Sequence, residues 1–381
     1  MSLFGGKHSK GFLGVDIGAS SIKVVELASE KGRPKLMTYG YAELPQDQTG
    51  VSFFDQPKEA GRLLADVLKS AGVKSSQAMA ALPTTNVFST ILSIPIVKDT
   101  KQRDAVIDTE LTKLTPLPLS EMITQRVFLD EDKNTKKEED KKKKEAESRE
   151  EKKQLTAEEK EHAKHFRVLV TGSAKTFVQK YIELFKAAGV ELQAIDTEAF
   201  ALIRSLIGKD RSAIMILDIG SKRSNITIVE KGIPFVNRSV NLGGDVVTGR
   251  LVDTMQLPQE EAERVKRDLG NMGQAKSELP GGLPKLLEPV MQPLVNEIRY
   301  AIQLYASMEL TEIKKVDKII LTGGSSHLPR VPEYLAEVLN MNVYRGDPWA
   351  RVTYPKDLET VLEEIGPRMS VAVGLAMRDL D

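Results

Sequence analysis

The chain has 381 residues with 54 Lys plus Arg and 54 Asp plus Glu, so it carries no net charge and no global basic field for nucleic acid. It has no cysteine, which excludes disulfides and thiolate metal sites, and His8, His162, His165 and His327 form no ligand pattern. No apolar run reaches a membrane span and the first ten residues lack a signal-peptide core, so a soluble cytoplasmic protein with two core-bearing lobes is expected.

In chain order, FLGVDIGASSIKVVEL (Phe12 to Leu27) reads as strand, tight turn, strand, and Pro34 to Leu44 as a third strand of a meander. Gln46 to Pro57 is rich in turn residues. Lys58 to Ala71 has Leu63, Leu64, Val67 and Leu68 at helical spacing, with Gly72 as its stop. Ala78 to Leu82 is a short buried strand. Then the character changes: Val87 to Ile96 is β-rich, Thr100 to Leu114 is a helix stopped by Pro116 and Pro118, and Ile123 to Leu129 is strand-like. That succession marks a small inserted subdomain. Asp130 to Lys164 is dense in Lys and Glu and cannot bury a core, so it is expected to be disordered or a solvated helix. Phe166 to Thr171 resumes a strand.

Thr176 to Ala188 reads as an amphipathic helix, Val190 to Ile195 as a strand, and Asp196 stands where a cap belongs before a helix from Thr197 to Ile207. Ile214 to Glu230, IMILDIGSKRSNITIVE, repeats the opening hairpin, with a turn that reads as two residues longer because Asp218 lies farther from Glu230 than Asp16 from Glu26. Gly232 to Ser239 follows as a strand, Val246 to Met255 and Pro258 to Leu269 as helices, and Leu286 to Leu310 as a long helix after a break at Gly281 to Pro284. Val316 to Leu321 is a buried strand running into Thr322-Gly323-Gly324-Ser325-Ser326. Helix Val331 to Leu339, strand Asn342 to Arg345 and a last helix from Ser370 to Arg378 complete the chain.

The chemistry sits in the turns. Gly18 lets the backbone bend close to a ligand, Ser20, Ser21 and their amides can donate to phosphate oxygens, and Lys23 adds a point charge. Gly220, Ser221, Ser224 and Asn225 repeat the pattern. Asp16 and Asp218, each ending a buried strand, suit a magnesium ion held through water. Two such hairpins half a chain apart imply a duplicated fold with one nucleotide between its halves.

The two Asp-Ile-Gly hairpins and the late strand–Gly-Gly–helix junction resemble the actin/Hsp70/sugar-kinase ATPase superfamily. The resemblance implies an α/β, two-lobed actin-like/Hsp70 ATPase fold of duplicated RNase H-like domains, with ATP and Mg2+ as cofactors. TGGSSHLPRV (Thr322 to Val331) is similar to the turn that abuts adenosine, contributing Gly323, Gly324 and Ser325, with His327 where an arginine often packs on the base.

Within the superfamily the chain resembles the PilM family, FtsA-related actin-like proteins of type IV pilus assembly. The resemblance rests on DIGASSIKVVEL, on PFVNRSVNLGGDVVT with Arg238, Gly243, Gly244 and Thr248, and on EEAERVK, whose Glu263 and Lys266 would meet ribose and adenine. It rests also on GDPWARV (Gly346 to Val352), where Asp347 and Trp349 depart from the family's Asn-Pro-Phe.

It implies subdomain 1A over 1–83 and 172–210, and 1C over 84–171 with the charged insertion 130–164. Subdomain 2A would take 211–245 and 290–365, 2B 246–289, and 366–381 would be a terminal helix returning to 1A. A water-orienting acid is expected at the start of the helix before the second hairpin, where Asp196 stands and Glu198 follows, so Asp196 is either catalytic or a cap. A slow ATPase and a nucleotide-gated scaffold both fit.

The implied partner is the cytoplasmic N-terminal tail of a PilN-like inner-membrane protein, bound between 1A and 1C, with the membrane reached only through that partner and self-association left open. Two other readings remain. A sugar-type kinase would need an acidic base, for which Asp99, Asp104, Asp108 and Glu110 are available but sit on or beside a helix. An FtsA-like division protein would be expected to continue into a linker and an amphipathic membrane helix beyond the last predicted helix.

Overall fold

The computed structural model describes residues 11–43, 53–97, 99–129, 165–269 and 278–380; the charged run 130–164 and most of the expected loop after Gln46 lie outside them. The elements in order are β1 (Phe12–Ile17), β2 (Ser21–Glu30), β3 (Arg33–Glu43), α1 (Pro57–Ala71), β4 (Gln77–Leu82), β5 (Phe88–Pro95), α2 (Thr100–Leu114), β6 (Met122–Phe128) and β7 (His165–Ala174). Next come α3 (Lys175–Ala188), β8 (Glu191–Thr197), α4 (Glu198–Leu202, continued by a π turn over Ile203–Ile207), β9 (Ala213–Ile219), β10 (Ser224–Glu230) and β11 (Ile233–Val240). The last are α5 (Gly244–Met255), α6 (Gln259–Asp268), α7 (Glu288–Ser307), β12 (Lys318–Thr322), α8 (Val331–Leu339), β13 (Asn342–Arg345) and α9 (Glu359–Ala376).

Two compact units result, Met1–Thr85 with Lys180–Asp381, and Asn86–Gln179. The larger holds two five-stranded sheets of the same topology, β3-β2-β1-β4-β8 and β11-β10-β9-β12-β13. In each, an antiparallel meander is extended by two parallel strands. The inner parallel strands β4 and β12 read as nearly unbroken apolar runs because they are covered on both faces, whereas β8 and β13 at the sheet edges do not. In the smaller unit β7 is the middle strand between β5 and β6, and Ile107 and Leu111 of α2 pack on Leu92, Ile94, Val168 and Val170.

The two hairpins of the larger unit are closer copies than their sequences indicate. Ile17 pairs with Ile22 and Ile219 with Ser224, so both turns enclose four residues, and each closes on a 2.9 Å bond, Gly18 N to Ser21 O and Gly220 N to Arg223 O. The expected longer second turn is therefore corrected: its two extra residues lie in the paired strands, which run farther before their glutamate.

Both glutamates nonetheless do one job. Glu26 accepts the backbone N–H groups of Lys74 and Ser75 at 3.1 and 2.8 Å; Glu230 accepts those of Glu312 and Ile313 at 3.1 and 3.2 Å and the hydroxyl of Tyr305 at 2.6 Å. Each buried carboxylate thus satisfies the loop leading into the first parallel strand of its sheet.

Two helix boundaries also differ from expectation. The last helix begins at Glu359, well before Ser370, and runs through Gly366-Pro367. Proline removes only one hydrogen bond, to the carbonyl four residues back, and that carbonyl belongs to exposed Glu363. The apolar face around the proline is buried against Trp349, which is 1% exposed and donates Nε1 to Leu362 O at 2.9 Å. Asp347, the other departure in that motif, accepts the Trp349 N–H at 2.8 Å and so holds the tryptophan in place.

The second difference is at β8. Asp196 and Thr197 continue the parallel ladder opposite Ala81 and Leu82, so the strand runs two residues further than predicted and the helix starts one residue later, at Glu198. Its cap is Thr197, whose hydroxyl accepts the Phe200 N–H at 3.3 Å, and not Asp196.

Candidate functional site

The site lies in the larger unit, where the ends of both meanders meet. At the end of β1 the register puts Asp16 opposite Lys23, and Lys23 Nζ donates to Asp16 Oδ2 at 2.8 Å with side chains only 13% and 8% exposed. Ser21 closes the turn above them, and Ser20 lies within it, both partly accessible. At the end of β9 the same register places Asp218 opposite Asn225, so a neutral amide stands where the first hairpin has a cation. Desolvation raises the Asp218 carboxyl; the Lys23 charge opposes it, Asp16 adds to it, and the Asn225 hydrogen bond lowers it again, leaving it near 6.

The third carboxylate is Glu198, the first residue of α4. Thr84 donates both its N–H and its hydroxyl to Glu198 Oε2, each at 2.8 Å, and Asn225 Nδ2 approaches the same oxygen at 3.3 Å. Oε1 is left without a partner among the described residues. Burial, then the charges of Asp16 and Asp218, push this carboxyl up to about 7 against the two Thr84 hydrogen bonds. Asp196, the other acid at this helix, is turned elsewhere: Oδ2 takes Arg204 Nη2 at 2.5 Å and Oδ1 takes the Thr197 N–H at 2.8 Å. Arg204 in turn donates Nε to Gly374 O of α9 at 2.8 Å. Of the two acids, the structure brings Glu198 to Asp16 and Asp218.

Two glycine turns close around the second hairpin. Gly323 has φ 83, and a Cβ there would stand 2.3 Å from Asp218 Oδ1, so only glycine fits the turn after β12. Gly323 N–H and Thr322 Oγ1 both donate to Pro367 O, tying the turn to α9. Gly243 caps α5, and a Cβ on Gly244 would meet Ser325 Oγ at 2.4 Å. Ser325 Oγ donates to Gly220 O at 2.9 Å, and Gly244 and Asp245 donate backbone N–H groups to Gly220 O and Ser221 O. Gly324 continues the same turn.

From α6, Lys266 Nζ reaches Glu263 Oε2 at 2.6 Å, Thr248 Oγ1 at 2.9 Å and Gly244 O at 3.4 Å. Burial alone would raise the Glu263 carboxyl, but the hydrogen bonds from Lys266 and Thr248 and the Lys266 charge hold it below its ordinary value.

Most of the expected residues therefore converge. Ser224 does not: it is fully buried and donates its hydroxyl to Leu242 O at 2.5 Å, because it alternates with Asn225 along β10 and faces the other way. His327, in place of a base-packing arginine, is held below its ordinary range by burial and by the charges of Arg345 and Arg368. The acids a kinase reading would use are committed within the smaller unit. Asp99 caps α2 through Gln102 N, Asp104 and Asp108 pair with Arg126, and Glu110 pairs with Lys113. Thr84 is a site residue with no signal in the sequence, reached only by folding.

Three carboxylates and one lysine leave a net negative cluster of hard oxygen donors. Among the described residues no group of three or more His, Asp or Glu side chains is close enough to cage a metal. Such a set fits a magnesium ion that keeps its waters and borrows phosphate oxygens, and does not fit a protein-only metal site.

The chain matches the family model described as type IV pilus assembly protein PilM over residues 14–154 and 153–380. The cell division protein FtsA of Bacillus subtilis is 26% identical over 204 residues, 47% of this chain and 44% of that protein. The FtsA of Pseudomonas aeruginosa is 25% identical over 230 residues, 56% and 54% of the two chains. The DnaK chaperone of Guillardia theta is 23% identical over 195 residues, 41% and 31%. The chain thus spans about half or less of the length of these curated relatives. A solved PilM–PilN type IV pilus biogenesis complex superposes with TM-score 0.75 at 22% identity, covering 97% of this chain and 98% of the other. The ethanolamine utilization protein EutJ of Carboxydothermus hydrogenoformans does so with TM-score 0.53 at 14% identity, covering 96% and 89%. The fold is the two-lobed actin-like ATPase fold.

Proposed function

The chain belongs to the PilM family of type IV pilus assembly proteins, and from that premise we propose that it is an ATP-binding scaffold whose nucleotide state sets its grip on a PilN-like membrane protein. The observation that carries the nucleotide reading is the meeting of Asp16, Asp218 and Glu198, drawn from both halves of the duplicated fold, beneath converging glycine turns.

In this reading Asp16 and Asp218 hold magnesium through water, and the ion would offset phosphate charge. Ser20, Ser21, Ser221 and the amides of both turns donate to phosphate oxygens, while Glu263 and Lys266 face the ribose. Glu198 takes the role the sequence offered to Asp196. Its Oε2 is held by Thr84 and Asn225, and its free Oε1 can accept a hydrogen bond from an attacking water. A carboxyl near 7 is a competent proton acceptor at neutral pH. Calorimetry should find ATP-Mg binding weakened roughly tenfold or more in Asp16→Ala and Asp218→Ala, each a change of over about 1.4 kcal/mol. Wild-type affinity in both would remove the site.

The partner is the cytoplasmic N-terminal peptide of a PilN-like protein, a reading supported by the family and by the fold shared with the PilM–PilN complex. The unit Asn86–Gln179 is the 1C-type insertion in this scheme. Among the described residues no helix is long and apolar enough to cross a membrane, and the chain would reach the inner membrane through that partner. Titrating the peptide with and without ATP-Mg should show two affinities, and ATP should bind the peptide complex with the reciprocal change. Absence of peptide binding in both states would overturn the scaffold reading.

A further inference from the structure

An ion pair crosses between the two halves of the larger unit at the rim of the candidate site. Arg267, next in sequence to Lys266 on α6, places Nη2 2.8 and 2.9 Å from the two oxygens of Glu43 at the end of β3. The two residues are 224 apart in the chain. Each has a second tie to the site. Glu43 pairs in register with Ser21 of the first phosphate turn, and Arg267 Nε lies 3.5 Å from Glu263 Oε1, the carboxylate held by Lys266 and Thr248. Arg368 of α9 approaches the same Glu43 at 3.9 Å and lies 5.5 Å over the Tyr41 ring. A single carboxylate at the edge of the first turn is thus gripped by Arg267 from the second half and approached by Arg368 from the terminal helix that packs on the first sheet.

We propose that Glu43 and Arg267 form a gate across the nucleotide cleft, one that must open for nucleotide to enter or leave. The inference rests on the nucleotide reading above and adds a kinetic device to it. The pair is placed to span the cleft and not to bind the phosphates: Glu43 would repel them, and its partner is the residue just beyond those assigned to the ribose. Both side chains are 47% exposed, so the pair is weak enough to open thermally and is screened by salt. A gate changes entry and exit together; a binding contact changes exit alone.

The test uses the full chain with a fluorescent ATP analogue and magnesium, measuring association and dissociation by stopped flow. Glu43→Gln, on the side of the cleft opposite the ribose residues, should raise both rates by about two- to fivefold while moving Kd by less than that. The double variant Glu43→Gln/Arg267→Gln should match the single one in both rates, because the gate opens once either partner is gone. The gap between wild type and Glu43→Gln should close as salt rises from low to high. Glu30→Gln, which breaks the Glu30–Lys35 pair at the far end of the β2–β3 hairpin, should leave both rates unchanged. Wild-type rates in Glu43→Gln, or a change in dissociation alone, would overturn the gate while leaving nucleotide binding intact. Failure of the wild type to bind the analogue would overturn the site itself.

Discussion

The two hairpins of the duplicated fold share turn length, closing hydrogen bond and terminal glutamate, and differ in one residue opposite the aspartate. Lys23 neutralises Asp16 within the first hairpin; Asn225 leaves Asp218 and Glu198 without a cation of their own. Asp16 therefore sits in a settled ion pair, whereas Asp218 of the second hairpin and Glu198, which follows the last strand of the first sheet, form an unsettled pair of acids pushed up to about 6 and about 7. The same backbone thus carries two charge patterns, and in the proposed reading the acids left without a cation opposite them are what would draw a divalent ion to the site.

That contrast can be broken most severely in the first hairpin. Lys23→Met strands a buried carboxylate and should cost about 3 kcal/mol in urea unfolding at pH 7, whereas Lys23→Met/Asp16→Asn should recover most of it. Full stability in the single variant would mean that the pair contributes nothing to the fold.

Next comes Glu198→Gln, which should abolish any hydrolysis yet stabilise the chain. A carboxyl raised to about 7 in the native state from an ordinary 4.5 binds its proton more tightly folded than unfolded, so stability falls as pH rises between those values. The gain from the substitution should thus be small at pH 4.5 and reach on the order of 2 kcal/mol at pH 8, after allowing for solvent at a partly accessible group. Melting curves at the two pH values check the sign; a larger gain at the acidic end would contradict it.

Asn225→Lys would copy the first hairpin's pair into the second. It should lower the Asp218 carboxyl, alter stability by no more than about 1 kcal/mol and weaken the magnesium dependence of ATP binding. Unaltered magnesium dependence would show that the charge deficit is not what recruits the ion.

The smallest effect is expected from removing Glu131 to His162 with a short Gly/Ser bridge. Phe128 already pairs with Val168 and Leu129 N–H bonds to Arg167 O at 2.9 Å, so the flanking ends are adjacent, and the removed run has too few apolar residues to build a core. The melting temperature should stay within about 2 °C, and a larger drop would reveal a packed element there.

Local signals were legible in the chain itself. The apolar runs of β1, β9 and β12, the helical spacing of α1 and α2, and the Gly-Gly turns all announce themselves within a dozen residues, because periodicity and turn chemistry are short-range properties. The duplicated Asp-Ile-Gly motif pointed to a nucleotide between two halves for the same reason. What only the tertiary structure decided depends on register and on long-range packing. Whether Asp196 or Glu198 meets Asp16 turns on two extra rungs between β8 and β4, whose strands are over a hundred residues apart. Equal turn lengths emerge only once Ile219 is seen opposite Ser224, and α9 runs through Pro367 only because Trp349 and the first sheet bury that helix. Thr84 on Glu198 and Arg267 on Glu43 have no local signature at all, since neither residue's own stretch of chain says which distant carboxylate it will meet.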